Sequence, residues 1–305
     1  MTALDKTLEI QAFLDQVAGI ANGEPTRLKK IVRRIVGDLF ATIEAFDVTD
    51  DEFWQALNFV GQSAPEFGLW AAGFGVEHFL DVRADRADAE AGTAGGTPRT
   101  IEGPLYVAGA PLERGRARLD DGSDAGEVLV MHGRVLSTDG QPIPDAIVDV
   151  WHANTLGNYS HFDTSQSAYN YRRRIQTDAE GRYWFRSILP SGYAVPPGSG
   201  IERALSAIGR HGNRPAHIHF FVSAAGHRHL TTQINIEGDA YLHDDFAYAT
   251  RDDLIPPVSR VEDIGLIHAA DLNAPFAEIA FDFILPVAMN EGDEGRSSRP
   301  RALVD

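Results

Sequence analysis

The hydrophobic residues of this chain change period partway along it, and no single layer of secondary structure accommodates both patterns. From Leu28, apolar residues fall at Leu28, Ile31, Val32, Ile35, Val36, Leu39, Phe40, Ile43 and Phe46. That i, i+3, i+4, i+7 stripe predicts a helix with one buried face, and Lys29, Lys30, Arg33 and Arg34 lie largely off it. Pro25 and Thr26 mark its start. Thr49-Asp50-Asp51-Glu52 has capping-box spacing ahead of Phe53, Trp54 and Leu57, and it starts a second helix. A further helix is expected from Phe67 to Arg83, weakened by Gly73 and Gly75. Helices in so short a stretch cannot all cover one another. Some of their apolar surface is therefore expected to meet another subunit.

Residues 84–99 are small, polar and glycine-rich and read as a linker or surface excursion. Beyond them the period is that of strands. Glu127–Leu136 and Ala146–Trp151 flank the turn-rich TDGQPIPD. Arg182–Phe185, Ala216–Ala224, His229–Glu237 and Glu278–Leu285 are further strand candidates. Short strands separated by Gly, Pro, Asp and Asn predict an all-β sandwich. The expected class is mainly β: an N-terminal all-α domain with its linker over 1–100, a β-sandwich domain over 101–290, and a flexible polar tail over 291–305.

Composition removes several classes of function. The 305 residues hold 27 Lys and Arg against 44 Asp and Glu, a formal net charge of −17. Nucleic-acid binding needs a basic footprint, so no nucleic-acid partner is expected. The chain has no cysteine, which excludes disulfide scaffolds, thiolate zinc or iron–sulfur sites and cysteine nucleophiles. Its opening, MTALDKTLEIQAFLDQVAG, lacks a basic region followed by an apolar stretch. No run reaches the ~18 apolar residues of a membrane span. A cytoplasmic protein outside the membrane is the expectation.

His217-Ile218-His219 is the most informative short segment. Strand alternation puts both imidazoles on one face and Ile218 on the other. Such a pair chelates one metal ion, or it is two ordinary histidines near a sheet edge. His227-Arg228-His229 competes with it, but follows Ala224-Ala225-Gly226 and is expected in a turn. Tyr159 and Tyr193 sit in loops shaped by glycine or proline, GNYS and SGYAVPP. A loop tyrosine is commonly a packing residue with a satisfied hydroxyl. As a ligand, a phenol with a pKa near ~10 needs a hard, highly charged cation, and ferric iron suits it better than zinc.

Five segments extend this pattern: TPRTIEGPLYVAGAP (97–111), WHANTLGNYSHFD (151–163), YNYRRRIQTDAEGRY (169–183), GRHGNRPAHIHFFVSAAGHRHLTTQIN (209–235) and DDFAYATRD (244–252). Together they resemble the intradiol ring-cleaving dioxygenases, and among them the catechol-cleaving kind. The resemblance implies a helical N-terminal dimerisation domain, a catalytic β-sandwich and one non-haem Fe(III) per subunit. It implies intradiol cleavage of catechol by dioxygen to cis,cis-muconate, a step of the beta-ketoadipate route of aromatic breakdown. By the same resemblance the ferric ligands are Tyr159, Tyr193, His217 and His219, with Tyr193 and His219 axial. Arg214 of the NRP motif matches an active-site arginine that stabilises charge on the substrate, and Gln233 of LTTQ a glutamine that steers hydrogen bonds around the ligands. Tyr193 doubles as a base toward the diol. The pocket walls are implied to be Leu69, Ala72, Ile101, Pro104, Leu105 and Phe246, with Ala247 near them. Ala72 stands where some catechol enzymes have proline. Catechol is expected as the best substrate, methylcatechols as slower ones, and protocatechuate as rejected for want of a partner for its carboxylate. The alternatives are chlorocatechol or hydroxyquinol cleavage by the same chemistry, and a non-catalytic sandwich binding small ligands, with zinc at the histidine pair. Some members hold a phospholipid in an apolar tunnel between subunits, and Lys29, Arg33 and Arg34 would suit its headgroup.

Overall fold

A computed structural model describes residues 8–21, 23–289, 299 and 301–303 of the chain. The first seven residues of the opening segment and residues 291–298 of the expected tail lie outside the described residues. The chain forms two compact units, Met1–Ala64 and Pro65–Asp305.

The first unit holds α1 (Leu8–Val17), α2 (Arg27–Phe46) and α3 (Asp50–Gln62). Thr26 caps α2 by accepting from the Lys29 amide, as its position before the apolar stripe predicted. The capping box at α3 is complete: Thr49 accepts from the Glu52 amide and Glu52 accepts from the Thr49 amide. α1 packs on α2 through Phe13, whose ring stacks on Phe40 at 6.0 Å, and through Leu14, which is buried beside Gly37. Arg33 pairs with Asp15 across the same contact. The rest of the stripe is open: Leu28 is 69% exposed and Phe46 78%, and no residue of α2 or α3 is buried.

In the second unit the helix expected over 67–83 is two helices, α4 (Phe67–Gly73) and α5 (Val76–Glu90). Gly75 breaks them apart because it adopts φ 71°, a left-handed conformation that a side chain resists. α5 runs on through residues 84–90, so the expected linker is short. Its Ala, Arg and Glu are good helix formers, and Asp85 and Asp88 are anchored by Arg99. A Cβ on Gly68 of α4 would lie 2.9 Å from Pro104, and one on Gly73 would meet Ile201 and Phe246, so α4 is seated on the sandwich unit.

The strands are β1 (Val107–Ala108), β2 (Leu112–Arg114), β3 (Arg116–Arg118), β4 (Val128–Ser137) and β5 (Ile147–His152). They continue as β6 (Arg172–Gln176), β7 (Arg182–Ile188), β8 (Tyr193–Ala194), β9 (Asn213–Arg214) and β10 (His217–Ser223). The last are β11 (Leu230–Asn235), β12 (Ser259–Val261), β13 (Phe276–Ala280), β14 (Phe283–Leu285) and β15 (Ala302–Leu303). Two short helices, α6 (Gly200–Ala207) and α7 (Ile264–Ala269), interrupt them. One sheet has the order β11-β10-β5-β6-β2 and the other β12-β13-β4-β7-β3, with β14 also on β4. Their facing sides form the core: Val148, Val150, Ile175, Ile218, Phe220 and Ile234 from the first meet Leu129, Met131, Phe185 and Ile279 from the second. This is the expected sandwich. The tail is not free throughout. Its described end pairs in parallel with β1, and Arg301 makes a two-pronged bond to buried Glu102.

Candidate metal centre

Alternation along β10 does what the spacing predicted. Ile218 and Phe220 enter the core, while His217, His219 and Phe221 face out of the sandwich from the first sheet. Register then sets a row across that face. His219 lies opposite Gln233 of β11 on one side and Trp151 of β5 on the other, and Trp151 lies opposite Arg172 of β6. The Trp151 ring stacks flat on His219 at 4.9 Å and fixes its plane.

Loops bring the two phenols over this face. The loop before Tyr159 turns on Asn154, whose side-chain oxygen accepts from the Leu156 and Asn158 amides at 2.9 Å each. Gly157 is required there: a Cβ would lie 2.7 Å from Tyr193 Cβ, so the two tyrosine loops touch through it. Tyr193 begins β8, which pairs with β9 and sets Tyr193 opposite Arg214. The Tyr159 and Tyr193 rings meet edge to face at 5.6 Å, and Tyr193 lies 5.5 Å from the His217 ring. Tyr159 is buried and Tyr193 half-buried.

His217 Nε2 is the hub. It lies 3.0 Å from His219 Nε2, 3.4 Å from the Tyr159 hydroxyl and 3.1 Å from Arg214 Nη1. His217 Nδ1 is 2.6 Å from the Pro215 carbonyl, so it carries the proton and donates, which leaves Nε2 with a bare lone pair. Burial, reinforced by Arg214, pulls His217 down to about 3. Burial, then His217 and Arg214, hold His219 well below the usual histidine range. Both rings are therefore neutral at pH 7. Burial, then Tyr193, push the Tyr159 phenol well above its usual range, against the pull of Arg214 and Arg172. These groups fit a metal. Two neutral imidazole nitrogens converge within 3.0 Å, close enough for one cation to take a lone pair from each. A buried phenol ionises only beside a strong positive charge. Among the described residues no group of three or more His, Cys, Asp or Glu is placed to hold a metal, so the phenols are needed to complete the set.

Arg214 is buried and fully engaged. Its Nε and Nη2 donate to both oxygens of Asp245, at 3.1 and 3.0 Å, and Nη2 also donates to Gln233 Oε1 at 2.8 Å. Burial works against the Asp245 carboxylate, yet Arg214 and the Ala247 amide keep its pKa below the ordinary value. Gln233 in turn donates to Asn235. Asp245 was missed in the sequence reading. It lies in the quoted DDFAYATRD segment, but no spacing ties it to an arginine 31 residues away.

The expected wall residues divide between two apolar clusters. Leu69, Ala72, Ile101, Phe246 and Ala247 share one with Ile201. Leu105 joins Tyr159, Tyr193 and Trp151 in the other. Pro104 meets α4, and a Cβ on Gly103 would lie 3.9 Å from His219, so residues 101–105 join the walls to the imidazoles. A cavity of about 370 Å³ beside Tyr193 and Arg214 is otherwise lined by residues such as Ser191, Asn213, Asp239 and Tyr241, and it takes in neither imidazole, nor Tyr159, nor any of the expected walls. A wider cleft of about 830 Å³, between Arg116, Arg134 and Trp184, holds none of these groups. His227 and His229 both follow the turn at Ala225 and Gly226, in the connection between β10 and β11, and His227 bridges to Val287.

Comparison with known proteins places the chain in a family. A family model described as Dioxygenase matches residues 101–287, and one described as Catechol dioxygenase N terminus matches residues 26–92. The catechol 1,2-dioxygenase 2 of Acinetobacter lwoffii is 62% identical over 257 residues, 83% of this chain and 93% of that protein. A solved structure of catechol 1,2-dioxygenase from Acinetobacter sp. ADP1 is 47% identical, covers 100% of both chains and superposes with a TM-score of 0.93. Relatives named for other diols are more distant, such as the hydroxyquinol 1,2-dioxygenase of Rhizobium sp. at 32% identity over 88% of this chain and 92% of that protein. No described helix is long and apolar enough to cross a membrane.

Proposed function

This chain belongs to the catechol dioxygenase family, and from that premise we propose that it cleaves catechol between its two hydroxyl-bearing carbons, consuming one dioxygen and releasing cis,cis-muconate. Tyr159, Tyr193, His217 and His219 would hold one ferric ion. When bound, that ion supplies Lewis acidity toward both diol oxygens and a route around the spin barrier between a singlet ring and triplet dioxygen. The observation that carries this reading is the convergence of two neutral imidazoles and two phenols on one face of one sheet.

The remaining work falls to the chain's own groups. Tyr193, half-buried opposite Arg214, would be a phenolate when it holds the ion, and its oxygen would then accept one hydroxyl proton of the diol. Tyr159, buried beneath its loop, stays in place. Arg214 faces the same point and stabilises negative charge on the deprotonated diol; Asp245 and Gln233 already hold it, so little reorganisation is needed. Leu69, Ala72, Ile101, Pro104, Leu105, Phe246 and Ala247 exclude water and select a small, uncharged ring.

In the first unit, the open stripe on α2 and α3 is the face that a second copy of the chain covers, giving a homodimer. A lipid headgroup there would find Arg33 and Arg34 already engaged by Asp15 and Asp38. The enzyme would work in the cytoplasm.

The test is oxygen uptake by the ferric-loaded protein with catechol, hydroxyquinol and chlorocatechol in turn, with the products identified. One dioxygen per catechol and a cis,cis-muconate product, at the highest kcat/KM of the three, are expected. Ring opening outside the two oxygenated carbons, or no uptake, overturns the reading.

A further inference from the structure

We propose that Arg172 is a positioning residue for the ligand Tyr159, fixing where its phenol stands and setting the field at its oxygen. This rests on the reading that Tyr159 holds ferric iron. Arg172 is 1% exposed and sits in the same row of the sheet as His219, two strands away. Its Nε donates to Ser160 Oγ at 2.9 Å and its Nη2 to the Ser160 carbonyl at 3.0 Å. Ser160 is itself buried and donates to the Asn170 carbonyl at 2.7 Å. The residue next to the ligand is thus held at three points, two of them by one planar group. The guanidinium carbon stands 5.8 Å from the centre of the Tyr159 ring.

The charge of Arg172 has a direction. Among the described residues its hydrogen bonds go to the uncharged Ser160, and Nη1 is buried with no hydrogen-bond partner. Burying a cation costs several kcal/mol in typical proteins, and the groups that favour the charge here are the Tyr159 phenol and then the Asp149 carboxylate. A staple between β6 and the Tyr159 loop would need only a neutral donor. Trp151 stands between Arg172 and His219 in the row, and Arg172 acts on His219 less than His217 and Arg214 do. Tyr193 differs, since its loop is set by the pairing of β8 with β9.

The test uses ferric holoenzyme: wild type, Arg172→Met, Arg172→Lys and Ser160→Ala. Iron affinity is measured against a competing chelator, and the phenolate-to-iron band is read in the visible spectrum. Arg172→Met is expected to weaken iron binding on the order of 10–100-fold. It should also move the band to longer wavelength, because a nearby cation lowers the energy of the donating phenolate. Arg172→Lys should restore the band position but not the affinity, since an ammonium cannot bond both Ser160 oxygens in one plane. Ser160→Ala should weaken binding severalfold with the band in place. Wild-type affinity and band in a folded Arg172→Met overturn the inference. If that variant does not fold, the other two decide: loss of affinity in both supports the role, and wild-type affinity in both overturns it. A wild type with no band sinks the iron reading and this inference with it. A normal wild-type band with unchanged variants sinks this inference alone.

Discussion

Strand β10 and helix α2 are both strictly patterned, and the chain completes only one of them. In β10 both faces are covered: Ile218 and Phe220 by the opposite sheet, His217 and His219 by the tyrosine loops and Arg214. In α2 the apolar stripe is just as regular, yet Leu28, Ile35, Leu39 and Phe46 stay exposed. Periodicity tells which side chains share a face. It does not tell what lies opposite that face, and that depends on contacts remote in sequence or on another molecule.

The largest effects come from separating the two faces of β10. His219→Ala removes one imidazole without touching the core, so iron content and catechol turnover should fall below about 1% of wild type, in line with the loss of a group only the reaction uses, while the unfolding midpoint of the metal-free protein changes little. Phe220→Ala should do the reverse. It opens a cavity between the sheets and costs about 3–5 kcal/mol of stability, measured by denaturant unfolding. The molecules that remain folded should keep iron. A variant at Phe220 that loses iron before it unfolds would break the distinction between the faces.

Helix α5 is the intermediate case, a helix whose polar side is covered by its own unit. Among the described residues Asp81 has one buried carboxylate oxygen with no hydrogen-bond partner, and burial raises it to about 7, with Arg251 and Arg99 pulling down and Asp85 and Glu77 adding to the rise. The unfolded chain gives up this proton near pH ~4, the folded chain near 7. The fold therefore loses stability as pH climbs between those values, and the full penalty applies above the upper one. Asp81→Asn removes it. The variant should gain on the order of 1–4 kcal/mol at pH 8 and almost nothing at pH 4. An equal gain at both pH values would mean that the carboxylate is already ionised at the lower one.

Local signals were readable and remote ones were not. Thr26 and Thr49 announce helix starts because a cap acts within one turn. The alternation at His217 and His219 is equally local, and the strand bears it out. The roles of Tyr159 and Tyr193 came from resemblance, because loop positions carry no period. Asp245 and Arg172 stayed hidden for a different reason: each matters through a partner remote in sequence that only the folded chain brings near. At the described end of the expected tail Arg301 finds Glu102 across 199 residues, a contact that composition does not announce. The expected linker was misjudged, because its alanines, arginines and glutamate favour helix once Arg99 anchors the aspartates.

Ile35 tests the helical side of the comparison. It is 62% exposed in the middle of α2, so replacing it with serine removes almost no contact within the chain. The unit's own stability should move by no more than about 0.5 kcal/mol, the usual range for a surface change. A loss of 2 kcal/mol or so in dilute, dissociated protein would place Ile35 in an intrachain core. If a second copy covers the stripe, the same substitution should weaken self-association at least tenfold in sedimentation equilibrium, since desolvated apolar centres dominate such faces. The two numbers together decide whether α2 is patterned for its own chain or for a partner. A wild type that stays monomeric at every concentration would mean that no second copy covers the stripe, and β10 and α2 would then differ in how tightly each is packed rather than in what packs against them.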